Sequence, residues 1–126
     1  MTIHALHHVS LIVSDTSRSL NFYRDLLGLS VDDARPDLGF PGAWLTINNQ
    51  QQIHLLELPN PEAGLLRPAH GGRDRHLALW CNDIDALAAR LQTAGIAISR
   101  SKSGRQALFC RDPDDNAVEI MQCQPT

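Results

Sequence analysis

With 126 residues, 43% of them hydrophobic and 20% charged, the chain has the size and composition of one globular domain with its own core. A formal net charge of −3, with no stripe of Lys or Arg, argues against a nucleic-acid partner, and no apolar run approaches the roughly 20 residues that span a bilayer. The N-terminus has no basic segment leading into an apolar one, and Cys81, Cys110 and Cys123 lack metal-type spacing, so reduced thiols in a cytoplasmic protein are expected.

Residues 6–14 alternate from His8 onward, with Val9, Leu11 and Val13 on one face and His8, Ser10 and Ile12 on the other, which predicts a strand. Asp15 or Ser17 can cap a helix in which Leu20, Tyr23, Leu26 and Leu27 recur at helical spacing and Gly28 supplies the permissive end. Short strands are predicted near 29–32, 43–48 and 52–57, separated by a loop at 33–42 that carries Pro36, Gly39, Pro41 and Gly42. Residues 59–75, rich in Pro, Gly and charge, read as a linker.

The pattern then restarts. Residues 76–82 alternate, Asp83 takes the capping position, Ile84, Leu87, Ala88 and Leu91 form the helical stripe, and Gly95 ends it. Strands near 96–100, 105–110 and 116–122 complete the second half. His8 and Asp15 stand seven apart, as do His76 and Asp83, and Gln52-Ile53-His54-Leu55 overlays Ala117-Val118-Glu119-Ile120. The architecture is therefore α+β: a single domain of two βαβββ modules in tandem, at about 4–58 and 76–122.

In such a repeat, equivalent positions are expected to face each other. Val9, Leu11, Leu77, Leu79, Val118 and Ile120 would meet the helices on the outer face, and His8, His54, His76 and Glu119 would lie on the opposite, concave one. A lone His on a strand carries little chemistry. Four polar groups at matched positions beside Ile12, Trp80 and Met121 would be costly to bury without a common partner, at roughly 1–3 kcal/mol each. One divalent metal ion removes that cost. Histidines and a carboxylate with open coordination positions suit Zn, Ni, Co, Mn or Fe(II). Since no thiolate joins the set, a closed structural zinc site is disfavoured, and room is left for water or substrate.

The pieces HHVSLIVSDTSRSLNFYRDLLGL, IHLLEL, RHLALWCNDIDALAARLQTAGI and FCRDPDDNAVEIMQ resemble the vicinal oxygen chelate superfamily over nearly the whole chain. That group includes glyoxalase I, extradiol dioxygenases, fosfomycin-resistance thiol transferases, methylmalonyl-CoA epimerase and the metal-free bleomycin-resistance proteins. The resemblance implies a U-shaped mixed sheet around a metal, with helices on the outer face, and in many members a homodimer. It carries the metal positions onto His8, His54, His76 and Glu119, and leaves His7 structural.

Glyoxalases that resemble this pattern use a glutamate where His54 stands. Their chemistry moves a proton between adjacent carbons, so the resemblance leaves Glu119 and His54 as the catalytic acid/base candidates; Glu57 is expected to face away. A glyoxalase-type lyase or isomerase acting on a small metal-chelating substrate comes first. A dioxygenase or thiol transferase is the alternative, and a metal-free binding protein of the bleomycin-resistance kind is the contrasting class. Arg105 is the preferred anion contact over Arg73, Arg75 and Arg111, and Phe40 and Trp44 can wall an apolar pocket. The acidic run Asp112-Pro113-Asp114-Asp115-Asn116 reads as a tight turn.

Overall fold

A computed structural model describes residues 1–101 and 103–124. The described chain contains β1 (His8–Val13), a helix α1 (Thr16–Leu20) that runs on into a π-helical segment (Asn21–Leu26), β2 (Ser30–Val31), β3 (Gly42–Thr46) and β4 (Gln52–Glu57). A 3-10 turn (Gly71–Arg73) precedes β5 (His76–Cys81), α2 (Ile84–Thr93), β6 (Ser99–Arg100), β7 (Ala107–Arg111) and β8 (Ala117–Gln122). These are two βαβββ modules. They fall in two compact units, Met1–Ala63 and Gly64–Thr126.

In the first unit the strand order is β1-β4-β3-β2, and in the second β5-β8-β7-β6. The first and last strands of each module pair in parallel, and the remaining pairs are antiparallel. The register repeats as well. Ser10 lies opposite His54 as Ala78 lies opposite Glu119, and Trp44 lies opposite His54 as Phe109 lies opposite Glu119.

Each helix starts on the aspartate that the spacing singled out. Asp15 accepts from the Arg18 N–H at 3.3 Å and Asp83 from the Ala86 N–H at 3.0 Å. A second anchor was not anticipated. The Thr16 N–H donates to Glu57 Oε1 at 2.7 Å, and the Ile84 N–H donates to Gln122 Oε1 at 2.8 Å. The last residue of each module's final strand thus receives an orphan amide from its own helix. Glu57 is thereby committed to structure.

The cores are built from alternate strand positions, Ile53, Leu55, Val118 and Ile120 among them, each at most 2% exposed. Alternation is the reason His54 and Glu119 point the other way. The first helix departs from the predicted stripe. Tyr23 is buried as predicted, but Ser19 and Phe22 are buried with it while Leu20, Leu26 and Leu27 are only half-buried; the Leu27 N–H reaches back five residues to the Phe22 carbonyl. Gly28, at φ 81°, then turns the chain while the Leu29 N–H returns to the Tyr23 carbonyl. The strand predicted at 43–48 ends at Thr46. Beyond it Asn48 Oδ1 accepts from the amides of Gln50 and Gln51 and makes a turn.

Candidate functional site

In the first unit the His54 ring lies in a stack. The His8 ring is 3.9 Å away at 13°, and the Trp44 ring is 4.5 Å away at 10° on β3. His54 is buried, whereas His8 is exposed at the strand's start. The proton on His54 follows from its neighbours. Asp32 can only accept, so Gln52 donates its amide N–H to Asp32 Oδ2 at 2.8 Å. The Gln52 carbonyl oxygen is then turned to His54 Nε2, 2.8 Å away, and must receive a hydrogen from it. His54 therefore carries its proton on Nε2 and a lone pair on Nδ1. Burial, reinforced by the charges of His8, His7 and Arg35, holds its pKa below the ordinary imidazole value.

This arrangement suits a proton-carrying side chain better than a metal ligand. The Nε2 atom is already engaged. The lone pairs of two rings stacked within 13° lie in nearly parallel planes, which do not meet at one ion. His8 has one ring nitrogen 2.8 Å from His7 Nδ1, and either can donate. When His8 donates, its Nε2 lone pair is left for an ion. His7 is exposed just before the strand and has its ring against His8.

In the second unit the ligand-type pair fits a metal. The His76 Nδ1–H donates to the Asp74 carbonyl at 2.9 Å, which fixes the tautomer and leaves the Nε2 lone pair free. That Nε2 lies 3.9 Å from Glu119 Oε2. Two donors on one ion, each bonded at about 2.1 Å, stand about 3.0–3.4 Å apart. A closing of about 0.5–0.9 Å from the observed 3.9 Å reaches that spacing. Phe109 backs the imidazole edge-on, with ring centroids 5.6 Å apart. Glu119 is 5% exposed, and its other oxygen accepts from Arg105 Nη2 at 3.3 Å.

Arg105 also donates to Ser103 Oγ, so the preferred anion contact is held beside the carboxylate. Arg111 is spent elsewhere. It binds Asp74 and the carbonyls of Asp115 and Pro68. Arg67 donates to both carboxylate oxygens of Asp74, sharing Oδ2 with Arg111, and the two guanidiniums hold that carboxyl far below the usual carboxylate range. This cluster steadies the residue whose carbonyl orients His76. The acidic run is the expected turn: Asp112 Oδ1 accepts from the amides of Asp114 and Asn116, and Asp115 sits at φ 65°.

A family model described as the Glyoxalase/Bleomycin resistance protein/Dioxygenase superfamily matches residues 5–120. The chain belongs to this superfamily. Among superfamily relatives it is 34% identical to "Glyoxylase I 4" of Arabidopsis thaliana, across 94% of this chain and 71% of that one. It is 31% identical to "Glutathione transferase FosA" of Serratia marcescens, across 94% and 80%. The crystal structure of TnmS3, an antibiotic binding protein from Streptomyces sp. CB03234, shares the fold at TM-score 0.74 and 24% identity, across 98% and 99%.

Of the residues expected in the superfamily site, His8 and His54 stand in contact in one unit, as do His76 and Glu119 in the other. Among the described residues no three His, Cys, Asp or Glu side chains are gathered at metal-holding separation. Phe40 and Trp44 both line a cavity of about 200 Å³ in the first unit, with Ser10, Arg35, Leu38 and His54 also in its wall. Sequence reasoning missed Asp32, Gln52, Arg35 and Phe109. Only Phe109 carried a signal, since it overlays Trp44 in the repeat.

Proposed function

We propose that the chain is a divalent-metal-dependent lyase or isomerase of the glyoxalase type, acting as a homodimer on a small substrate with neighbouring oxygens. The observation that carries this reading is the His76–Glu119 pair, with its tautomer set by the Asp74 carbonyl and its carboxylate buried. The similarity to the Arabidopsis protein supports the same class. One ion per site, drawn from Zn, Ni, Co, Mn or Fe(II), would be held by His76 and Glu119, with open positions left for further ligands. When bound, such an ion acts as a Lewis acid on substrate oxygens.

His54 moves the proton. Its depressed pKa keeps it neutral near pH 7, and its Nδ1 lone pair is free to accept a hydrogen from carbon. The charge that develops on the ring is stabilised through the Gln52 amide by the Asp32 carboxylate. Glu119 is the second acid/base candidate, with Arg105 fixing its orientation. Trp44 and Phe40 wall the apolar side of the substrate. Transfer of a thiol to a small electrophile is the second reading, favoured by the similarity to the Serratia protein and by the Arg105 guanidinium.

Metal analysis of the purified protein tests the reading. About one equivalent of a divalent ion is expected, and His76→Ala or Glu119→Gln should lose it while circular dichroism stays unchanged. Sub-stoichiometric metal that neither substitution alters would remove the metal from the account. His54→Gln should keep the ion and lower kcat for isomerisation of a hemithioacetal by about 10²-fold or more. Oxygen uptake with a catechol after anaerobic Fe(II) loading would instead point to dioxygenase chemistry.

A further inference from the structure

We propose that the first repeat contains a binding pocket for a small conjugated carboxylate, with the ring between Trp44 and Phe40 and the carboxylate on Arg35. The pocket lies wholly within one unit and uses neither His76 nor Glu119, but it shares Trp44, Phe40 and His54 with the proposed reaction, so it deepens that reading by naming the substrate class, and a titration without metal separates the two.

The cavity, about 200 Å³, is smaller than the 300–1,000 Å³ typical of drug-sized ligands, which limits the occupant to a single-ring acid. Its wall is apolar and aromatic over Leu38, Phe40, Trp44, Leu55 and Leu56. One full charge faces it. Arg35 packs its guanidinium over the Phe40 ring, with Cζ 5.4 Å from the centroid, and donates from Nη2 to the Phe40 carbonyl at 2.8 Å. Its Nε is buried and has no acceptor. A desolvated guanidinium donor without a partner is costly until an acceptor arrives.

The neighbouring acids do not supply one. Asp32 Oδ1 accepts from the Ala34 N–H and its Oδ2 from Gln52, while Asp37 accepts from the Gly39 N–H. Asp32 and Asp37 are thus engaged by loop amides and by Gln52, and neither pairs with Arg35 at the cavity. The strand that follows opens on a glycine beside the guanidinium. A Cβ on Gly42 would stand 2.9 Å from Arg35 Nη2 and 2.2 Å from the Leu55 carbonyl oxygen. The Leu55 carbonyl alone demands glycine here, and the missing side chain also leaves the space that the guanidinium occupies. A planar fork of N–H donors beside aromatic walls matches a flat carboxylate on a flat ring. A tetrahedral anion or a neutral amide satisfies only part of that geometry.

The test uses Trp80→Phe protein treated with chelator, so that Trp44 alone reports and no metal contributes. Benzoate, benzamide and phenylphosphonate are titrated by fluorescence and checked by calorimetry. Benzoate should bind saturably with Kd of about 1 mM or tighter, and benzamide at least about tenfold more weakly. Arg35→Gln should bring benzoate down to the benzamide level and leave benzamide unchanged, with Arg35→Lys between. The benzoate-to-benzamide ratio needs no Arg35 variant, so it decides the matter even where Arg35→Gln fails to fold. Equal binding of benzoate and benzamide, tighter binding of phenylphosphonate, an unaffected Arg35→Gln, or no binding of benzoate by about 10 mM would each overturn the proposal.

Discussion

A glutamine amide placed between a carboxylate and an imidazole has one orientation that satisfies all three groups. Gln52 adopts it, and the tautomer of His54 follows without any hydrogen being located. The same burial that fixes the tautomer makes the residue sensitive to acid. Its folded pKa lies below the unfolded value near 6.5, so below that pH the unfolded chain binds more protons than the native one. The stability His54 contributes is complete above about pH 6.5 and is lost as pH falls toward the folded pKa. Melting curves from pH 7.5 to 5 should therefore fall more steeply for the native protein than for His54→Gln. Parallel curves would mean that the ring is readily charged in place. None of this could be read beforehand, since the partner Asp32 is 20 positions from Gln52 and belongs to no periodic pattern.

At the level of elements, strands were legible because alternation is set by the pleat alone. β4 spans the predicted residues, and β1, β5 and β8 begin or end within one of them. Helix starts were legible because an aspartate cap is a local device. The π-helical segment was not, since a hydrogen bond reaching back five residues leaves no mark in residue spacing. Ser19, three residues before Phe22 on the same helix face, is fully buried with its Oγ unpartnered. Ser19→Ala removes an unsatisfied hydroxyl and installs a better helix former. We expect it to stabilise the protein by about 0.5–1.5 kcal/mol in urea unfolding at unchanged m-value; a destabilised variant would mean that the hydroxyl is satisfied in solution. The candidate site was legible to the same extent. His54 and Glu119 follow from alternation, while Arg35 sits in a loop where no period applies.

For the molecule as a whole, all three cysteines are free thiols, and no helix among the described residues is long and apolar enough to cross a membrane. The thiols differ in reach. Cys110 is buried in β7, and desolvation pushes its pKa up to about 12, whereas Cys81 and Cys123 are half-buried. Alkylation of the native protein at neutral pH should label Cys81 and Cys123 first, with Cys110 reacting only on global opening. Mass spectrometry of a labelling time course checks this, and early modification of Cys110 would place β7 in a locally opening region.

The duplicated module also makes the chain a two-row alignment of itself. Where the rows agree in role, the module needs that role to fold: Asp15 with Asp83 at the helix starts, Glu57 with Gln122 receiving the helix amides. Where they part, one copy has been specialised: His54 against Glu119, Trp44 against Phe109. Each half is thus the other's control. Restoring symmetry with His54→Glu changes a residue at which the copies have diverged and leaves the shared framework intact, so a single substitution asks what that divergence was for.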